Sequence, residues 1–494
     1  MTRPPAVSTA PAPFRGGRWG LLLLALLALV SLAACGSATT HYARIDRALE
    51  AGHPDEGLAV LEGNEGAYGS RSAALYYMDR GMLEHLAGRY NESNHSLARA
   101  ELLTEDLYTR RISSEVEAFL ATDNALPYEG EDFEKVMLNV IMALNYVNLG
   151  LWDDALVEAR KVDHKLNLIS DRNHGRMAYT KDAFARYLSG VLYETAGDLP
   201  NAFVAYRLAF EGFQAYRKTY GIEMPDLLGQ DLLRVSDTLG LRQEHEEYRK
   251  AFPDLAWQPA AATRGMGELV FITLAGRAPV KRDVFIDVPF GADALTVVLA
   301  TKGLHGRHSR ENRAAESVLY GLTGRVIRLA VPKFVPRRTA VAQVEAVAVS
   351  GEARYDARSV LMEDITAIAV KDLEDRLVRT TVKAAARAAW KYALAEGVQV
   401  GVREAVGKDG GALAGSLAGA VARIIAIASE EADKRSWATL PDRILVGRVM
   451  LPPGTYDLEF RYAGRSEREI ERYTMRGVTI SAGGRRFFSM RVLQ

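Results

Sequence analysis

Three short phrases recur along the first half of the chain: LAGRY at 86–90, NLGLW at 148–152 and TAGDL at 195–199. Each lies between two stretches whose apolar residues return at helical spacing. A glycine in that position closes one helix in the left-handed conformation and lets the next helix begin. Over this length the chain is therefore expected to fold as a row of antiparallel helix pairs, with a non-repeat helical bundle as the alternative.

The glycines are matched by small residues where the two helices of a pair would touch. Tyr77, Gly81, Gly88, Tyr90, Leu97 and Ala100 hold one set of offsets. Ala143, Gly150, Trp152, Ala155 and Ala159 mark a second repeat with the same small-to-turn-glycine spacing. Gly190, Tyr193, Gly197, Ala202, Tyr206 and Ala209 mark a third, and Gly52 with Leu61 ends a half-match. These are the offsets of tetratricopeptide (TPR) repeats. The turn glycines 52, 88, 150 and 197 are unevenly spaced, so the array expected over 35–252 carries insertions, the largest between about 101 and 132. Stacked hairpins of this kind present an extended surface to peptide segments and rarely supply catalysis.

The N-terminus has a different character. Arg3, Arg15 and Arg18 precede an apolar run, Leu21–Leu32, that is too short for a bilayer span. Leu32-Ala33-Ala34-Cys35 then reads as a lipobox, with 1–34 a lipoprotein signal peptide and Cys35 the lipidated first residue of the mature chain. Cys35 is the only cysteine, so no disulfide can form within one chain. Gly36 rather than aspartate follows it, which favours an outer-membrane lipoprotein facing the periplasm. No later segment reaches transmembrane length without charge.

After Pro253 the period changes. GELVFITLAGRAPVKRDVFIDV and TAVAQVEAVAVSGEARY alternate apolar and polar residues and are rich in β-branched types. Residues 253–357 are expected to begin a β-sandwich-like domain and 358–435 to interrupt it with a helical insertion. Leu361, Ile365, Ile368, Leu373 and Leu377 would line one side of that insertion's long helix. Residues 436–494 would complete the domain as two hairpins, turning at Pro452-Pro453-Gly454 and at Gly483-Gly484. The expected class is thus α+β and multidomain. Gly411, Gly415 and Gly419, spaced by four, suit close helix packing or oligomerisation. The basic stretch 302–338, with His305 and His308, suits a solvated loop or contact with an anionic surface.

The motifs of familiar chemistry are missing. There is no His-Glu-x-x-His, no phosphate-binding Gly-x-x-x-x-Gly-Lys loop and no cysteine free to act as nucleophile or zinc ligand. No metal site, cofactor or nucleic-acid groove is expected. Carboxylate pairs remain: Glu129, Glu131, Asp132 and Glu134 in LPYEGEDFEK. Two of them could act as acid and base on a glycan. The simpler reading makes Asp132 the N-cap of a helix starting at Phe133, with the acids at the positive end of its dipole.

LPYEGEDFEKVM with ALNYVNLGLWDDALVEARKVDHKL, DAFARYLSGVLYETAGD, GELVFITLAGRAPVK and KRSWATLPDRI with LPPGTYDL resemble, in that order, a family of uncharacterised bacterial TPR-containing envelope lipoproteins. The resemblance runs from about residue 70 to the end. It implies an envelope location and no established reaction, and it hints at peptidoglycan assembly. The expected function is a non-enzymatic, lipid-anchored adaptor that binds another envelope protein. Tyr128, Glu129, Asp132, Glu134, Tyr146 and Trp152 are the candidate contacts. The alternatives are an envelope enzyme using the 129–134 carboxylates and an oligomeric secretion accessory.

Overall fold

The computed structural model describes residues 40–111, 126–172, 179, 181–289, 326–377, 381, 382, 385 and 432–493. Cys35 and its leader, His305, His308, Gly411, Gly415, Gly419 and the 302–325 part of the basic stretch lie outside these residues. Among the described residues no helix is long and apolar enough to cross a membrane.

The chain forms two compact units, divided between Tyr68 and Gly69. In the first, helix α1 (Thr40–Glu50) turns at Gly52 into α2 (Pro54–Glu62), and the short α3 (Glu65–Tyr68) follows. Ile45, Ala48, Leu49, Leu58, Leu61 and Tyr68 are its buried apolar residues among the described ones.

The second unit carries the helix pairs α4 (Ala73–Leu86) with α5 (Tyr90–Arg111), α6 (Asp132–Leu149) with α7 (Trp152–Arg172), and α8 (Ala183–Thr195) with α9 (Leu199–Tyr220). A further pair, α10 (Asp226–Thr238) with α11 (Arg242–Ala251), was not anticipated from the sequence. Its turn glycine, Gly240, lacks a matching small residue at the TPR offset. The turn at Gly150 shows the construction. Its φ of 74° is left-handed. The N–H of Leu151 reaches back to the Tyr146 carbonyl (2.9 Å), and that of Gly150 to Val147 (3.1 Å). This double bond pattern satisfies carbonyls that the helix end would otherwise leave open. It recurs at Gly88, Gly197 and Gly240.

The helices of a pair meet where the repeat offsets predict. A Cβ built on Gly190 would lie 2.4 Å from the Tyr206 ring, and one on Gly81 would lie 2.5 Å from Leu97. Gly81 with Leu97 and Gly190 with Tyr206 share one sequence offset, which is the local signature read above.

Strands β1 (Gly267–Ala275), β6 (Val360–Asp364), β7 (Arg443–Leu451) and β10 (Arg485–Val492) form one four-stranded sheet, ordered β10-β1-β7-β6. Strands β4 (Gln343–Ser350), β5 (Ala353–Arg358), β8 (Gly454–Ala463) and β9 (Glu469–Ile480) form another, ordered β5-β4-β8-β9. β2 (Val280–Pro289) and β3 (Val326–Val335) pair as a separate ribbon. Leu269, Phe271 and Leu445 of the first sheet share one apolar cluster with Ala346, Leu458 and Phe460 of the second.

Three expectations are corrected here. Pro452-Pro453-Gly454 and Gly483-Gly484 do not close hairpins. Each carries the chain from one sheet to the other, and β10 lies parallel to β1. Within 436–494 the strands that pair as a hairpin are β8 and β9. Alternation tells which face a side chain takes but not which strand lies alongside. The long insertion helix expected from Val360 begins later. Val360 and Leu361 pair with Val446 and Leu445 as strand β6, and residues 365–377 are helical, as α12. The remainder of 358–435 up to residue 431, apart from 381, 382 and 385, lies outside the described residues. Finally, the change of period near 252/253 does not separate compact units, because helices α4–α11 and all the strands belong to Gly69–Gln494.

The reason is visible in the burial. The first helix of each of the first three pairs is covered over most of its length, as with Val136–Asn145 of α6 and Ala183–Tyr193 of α8. α6 packs on β10 and α8 on β6. The sheets occupy the face that first helices of such a stack ordinarily turn toward a peptide.

Candidate functional site

LPYEGEDFEK lies at this junction. Tyr128, Glu131, Asp132 and Glu134 are buried, and Glu129 is half-buried. Of the candidate contacts, Tyr128, Asp132 and Glu134 thus take interior positions. The cap is corrected. The residue before the first helical turn is Glu131, not Asp132, and the helix starts at Asp132. Glu134 Oε2 accepts the Glu131 N–H at 2.8 Å, one arm of a capping box. An acid three residues after another acid was the available signal for that arrangement.

Every carboxylate oxygen of Glu131 and Glu134 already has a donor. Lys281 of β2 bonds Glu131 Oε1 and Arg376 of α12 bonds Oε2. The Trp437 N–H donates to Glu134 Oε1 at 2.8 Å, and the Tyr128 hydroxyl donates to Oε2 at 2.5 Å. The Arg435 guanidinium lies over the Tyr128 ring, 5.2 Å from its centre, and pairs with Asp433 at 2.8 Å. The phrase therefore pins α6 to β2, to α12 and to the segment before β7.

The electrostatics of the two acids diverge. Burial would raise Glu131, but Arg376 and Lys281 outweigh it and hold the carboxyl far below its usual range. Glu134 is pushed up by burial and by the charge of Glu131. Arg376 also holds Asp372 at 2.6 Å. Burial, opposed by Arg376 and reinforced by Glu131 and Asp132, lifts Asp372 to about 7.

A second buried cluster joins α8 and α10 to the first sheet. Arg448 of β7 bonds Glu268 of β1 at 2.6 Å and Asp231 of α10 at 2.5 Å, and donates to the Tyr187 hydroxyl at 3.1 Å. Arg485 of β10 bonds Glu268 at 2.5 Å and Glu194 of α8 at 2.7 Å. Arg234 bonds both Glu194 and Asp231. Three guanidiniums meet three carboxylates, so the cluster is neutral.

A third lies between α8, α9 and β6. Asp182 caps α8 by accepting the Ala185 N–H at 2.7 Å, and it takes the Tyr179 hydroxyl at 2.6 Å. Glu363 accepts the Tyr216 hydroxyl at 3.1 Å, while its other oxygen has no hydrogen-bond partner among the described residues. Burial, then the charge of Asp182, drives Glu363 far above the usual carboxylate range. Burial raises Asp182 as well.

The remaining sequence candidates sit elsewhere. Tyr146 is half-buried on α6. Trp152 is half-buried, its ring 5.6 Å from Phe487 of β10, so it packs a helix on a sheet. At the end of the basic stretch, Arg337 donates to the Ala278 and Ala438 carbonyls at 2.7 and 2.5 Å. Among the described residues no group of three or more His, Cys, Asp or Glu could hold a metal ion. Lys281, Arg376, Arg448 and Glu363 were missed, because each meets its partner far away in the chain and carries no local motif.

No protein-family model and no curated protein matches the chain. Among solved structures, MamA AMB-1 is similar at 15% identity, covering 44% of this chain and 91% of that one, with a TM-score of 0.26. The apo form of RapI is similar at 11% identity, covering 83% and 82%, with a TM-score of 0.31. The Rap conjugation gene regulator of the plasmid pLS20, solved with a peptide, is similar at 12% identity over 78% and 73%, with a TM-score of 0.26. Likenesses this distant carry no argument, and the helix-pair geometry rests on this chain's own residues.

Proposed function

We propose that this chain is a lipid-anchored envelope scaffold. Cys35 is lipidated and tethers it to the outer membrane on the periplasmic side, and the helix pairs hold a segment of another envelope protein, in keeping with a role in cell-wall assembly. One observation carries the scaffold reading. With the first helices buried on the sheets, the second helices turn apolar side chains outward. Leu102 of α5 is 59% exposed, Val157 and Leu168 of α7 are 41% and 40%, and Val204 of α9 is 43%. Val157 and Leu168 are three turns apart and so share one face of α7. The partner is thus expected on the second-helix face, away from Tyr128, Asp132 and Glu134.

Photo-crosslinkers placed at Val157 and at Leu168 in cells are expected to capture the same envelope protein, and one at the exposed Arg354 of β5 to miss it. Adducts with the same protein from all three positions would sink the assignment. Cys35→Ser should release the chain from the membrane fraction; unchanged fractionation would refute the anchor.

The opposed shifts of Glu131 and Glu134 favour a second reading, because an acid and a base are often separated in this way. Release of soluble fragments from peptidoglycan by the purified chain, lost in Glu134→Gln, would replace the scaffold with a glycan-cleaving enzyme. An oligomeric secretion accessory rests on Gly411, Gly415 and Gly419, and sizing of Gly415→Leu in detergent tests it.

A further inference from the structure

A cleft of about 590 Å³ opens between the segment leading into β4, the start of β7 and the β8–β9 turn. Four arginines border it: Arg338, Arg443, Arg465 and Arg468. Thr339 and Ser466 add hydroxyls, and Ile470 adds an apolar wall.

The charges do not cancel. Arg338 directs one terminal nitrogen to Asp364, at 2.6 and 2.7 Å, and to Asp442 at 3.2 Å. Its side chain is 42% exposed, and its other nitrogens have no partner among the described residues. Arg443 Nε lies 3.5 Å from Asp364 but makes no hydrogen bond. Both aspartates are otherwise engaged: Asp364 accepts the Ala367 N–H at 2.7 Å, and Asp442 accepts the Thr366 hydroxyl at 2.5 Å and the Thr339 N–H at 2.9 Å. Arg465 and Arg468 are exposed, and no carboxylate pairs with them among the described residues. Four guanidiniums against two carboxylates leave two positive charges facing the cleft.

The turn that brings two of these arginines there is held in an unusual shape. Glu467, between Ser466 and Arg468, has φ 58°, the one positive value on a non-glycine among the described residues. The Gly464 N–H bonds the Arg468 carbonyl at 3.0 Å, and the Glu467 N–H bonds that of Gly464 at 2.9 Å. A side chain kept in the left-handed region is strained, and the closed turn offsets that strain.

We propose that this cleft binds a phosphate monoester dianion. Guanidinium forks match the terminal oxygens of a phosphate, and two spare charges match its dianion. The volume exceeds what a bare phosphate fills and falls in the range of small-molecule sites. Ile470, with Ala340 and Ala342, offers an apolar surface to the organic part of the ester. That ester is either a free metabolite-sized molecule or the headgroup of an anionic lipid.

The test is calorimetric titration of the full chain, in detergent, with glycerol 1-phosphate, inorganic phosphate and dihexanoyl phosphatidic acid. Saturable binding is expected, with the probes competing for one site. Arg465→Gln with Arg468→Gln should weaken it by at least about tenfold while leaving the melting temperature unchanged, since both side chains are exposed and unpaired in the described structure. Tighter binding of the short-chain lipid, lost in the double variant, identifies a lipid headgroup; equal binding of lipid and glycerol 1-phosphate identifies a free ester. The site is refuted if the unaltered chain binds none of the three saturably, or if the double variant binds them as well as the parent does.

Discussion

The Arg448 cluster and the Glu363 cluster do the same mechanical job at the same depth, yet their chemistry is opposite. Both tie helices to the first sheet: the first holds α8 through Glu194 and Tyr187, and the second holds α9 through the Tyr216 hydroxyl on Glu363, beside Asp182 and Tyr179. In the first, guanidiniums outweigh the burial of Glu194 and Glu268 and hold both carboxyls below their usual range, while burial keeps Asp231 raised against Arg448 and Arg234. In the second, tyrosines are the only side-chain donors among the described residues, and Asp182 and Glu363 are both raised. Burial raises every one of these carboxyls, and the charges around each decide whether that rise is overcome. A lowered group contributes stability above its unfolded pKa, and that contribution is lost as the pH falls through the folded value. A raised group contributes below its unfolded pKa, and the contribution is lost as the pH rises toward the folded value. The two clusters should thus tilt stability in opposite directions.

The largest effect is expected from Arg448→Met, which removes the cation shared by Asp231 and Glu268. Breaking a buried pair from one side costs about 3–5 kcal/mol, read as a fall in the denaturant midpoint. The loss should be smaller in acid, where the abandoned carboxyls can take up protons. A loss under about 1 kcal/mol at neutral pH would mean that the cluster does not hold its charges as described.

Glu131→Gln addresses the intermediate case, in which two cations hold one acid while Glu134 and Asp372 stay raised. Lys281 then loses its bonded carboxylate in a buried site, at a cost of about 2–3 kcal/mol. The same change removes a repelling charge from Asp372 and leaves Arg376 to it alone. Asp372 should therefore titrate below its present value of about 7, as followed by carboxyl-edited NMR. An unmoved Asp372 would break the link between the two sites. The double variant Glu131→Gln with Lys281→Met should recover part of the stability, because it no longer leaves a buried cation alone.

The repeat turns were legible because everything they need is local. A turn glycine, a small residue on the preceding helix and its partner on the next fall within one stretch of chain, as with Gly190, Gly197 and Tyr206. The alternating strands were also legible, but their neighbours were not, and the turn at Pro452 was misjudged for that reason. LPYEGEDFEK was recognisable as unusual, yet its meaning depends on Lys281, Arg376 and Trp437, which lie far away in the chain. Nothing in ten residues distinguishes an acid waiting for substrate from an acid already held by two distant cations. The cap at Glu131 was within reach, since Glu134 stands at the reciprocal position, but Asp132 is the better intrinsic cap and drew the assignment one residue too far.

Glu363→Gln tests the other end of the comparison and should show the mildest change. If Glu363 is held protonated, its amide is a near-isostere, so stability at pH 5 should match the parent to within about 1 kcal/mol. As the pH rises, the parent must keep a proton on Glu363 in the fold that the unfolded chain releases. Each such group lowers stability by up to about 1.4 kcal/mol per pH unit between its unfolded and folded pKa values. The variant lacks that term, so its stability curve should fall less steeply above pH 5 and cross above the parent toward neutrality. Glu194→Gln, in the neutral cluster, should instead weaken the fold most at neutral pH and least in acid. If both variants change stability with the same pH dependence, the proposed opposition between tyrosine-held and arginine-held acids is wrong, and burial alone would govern the two sites.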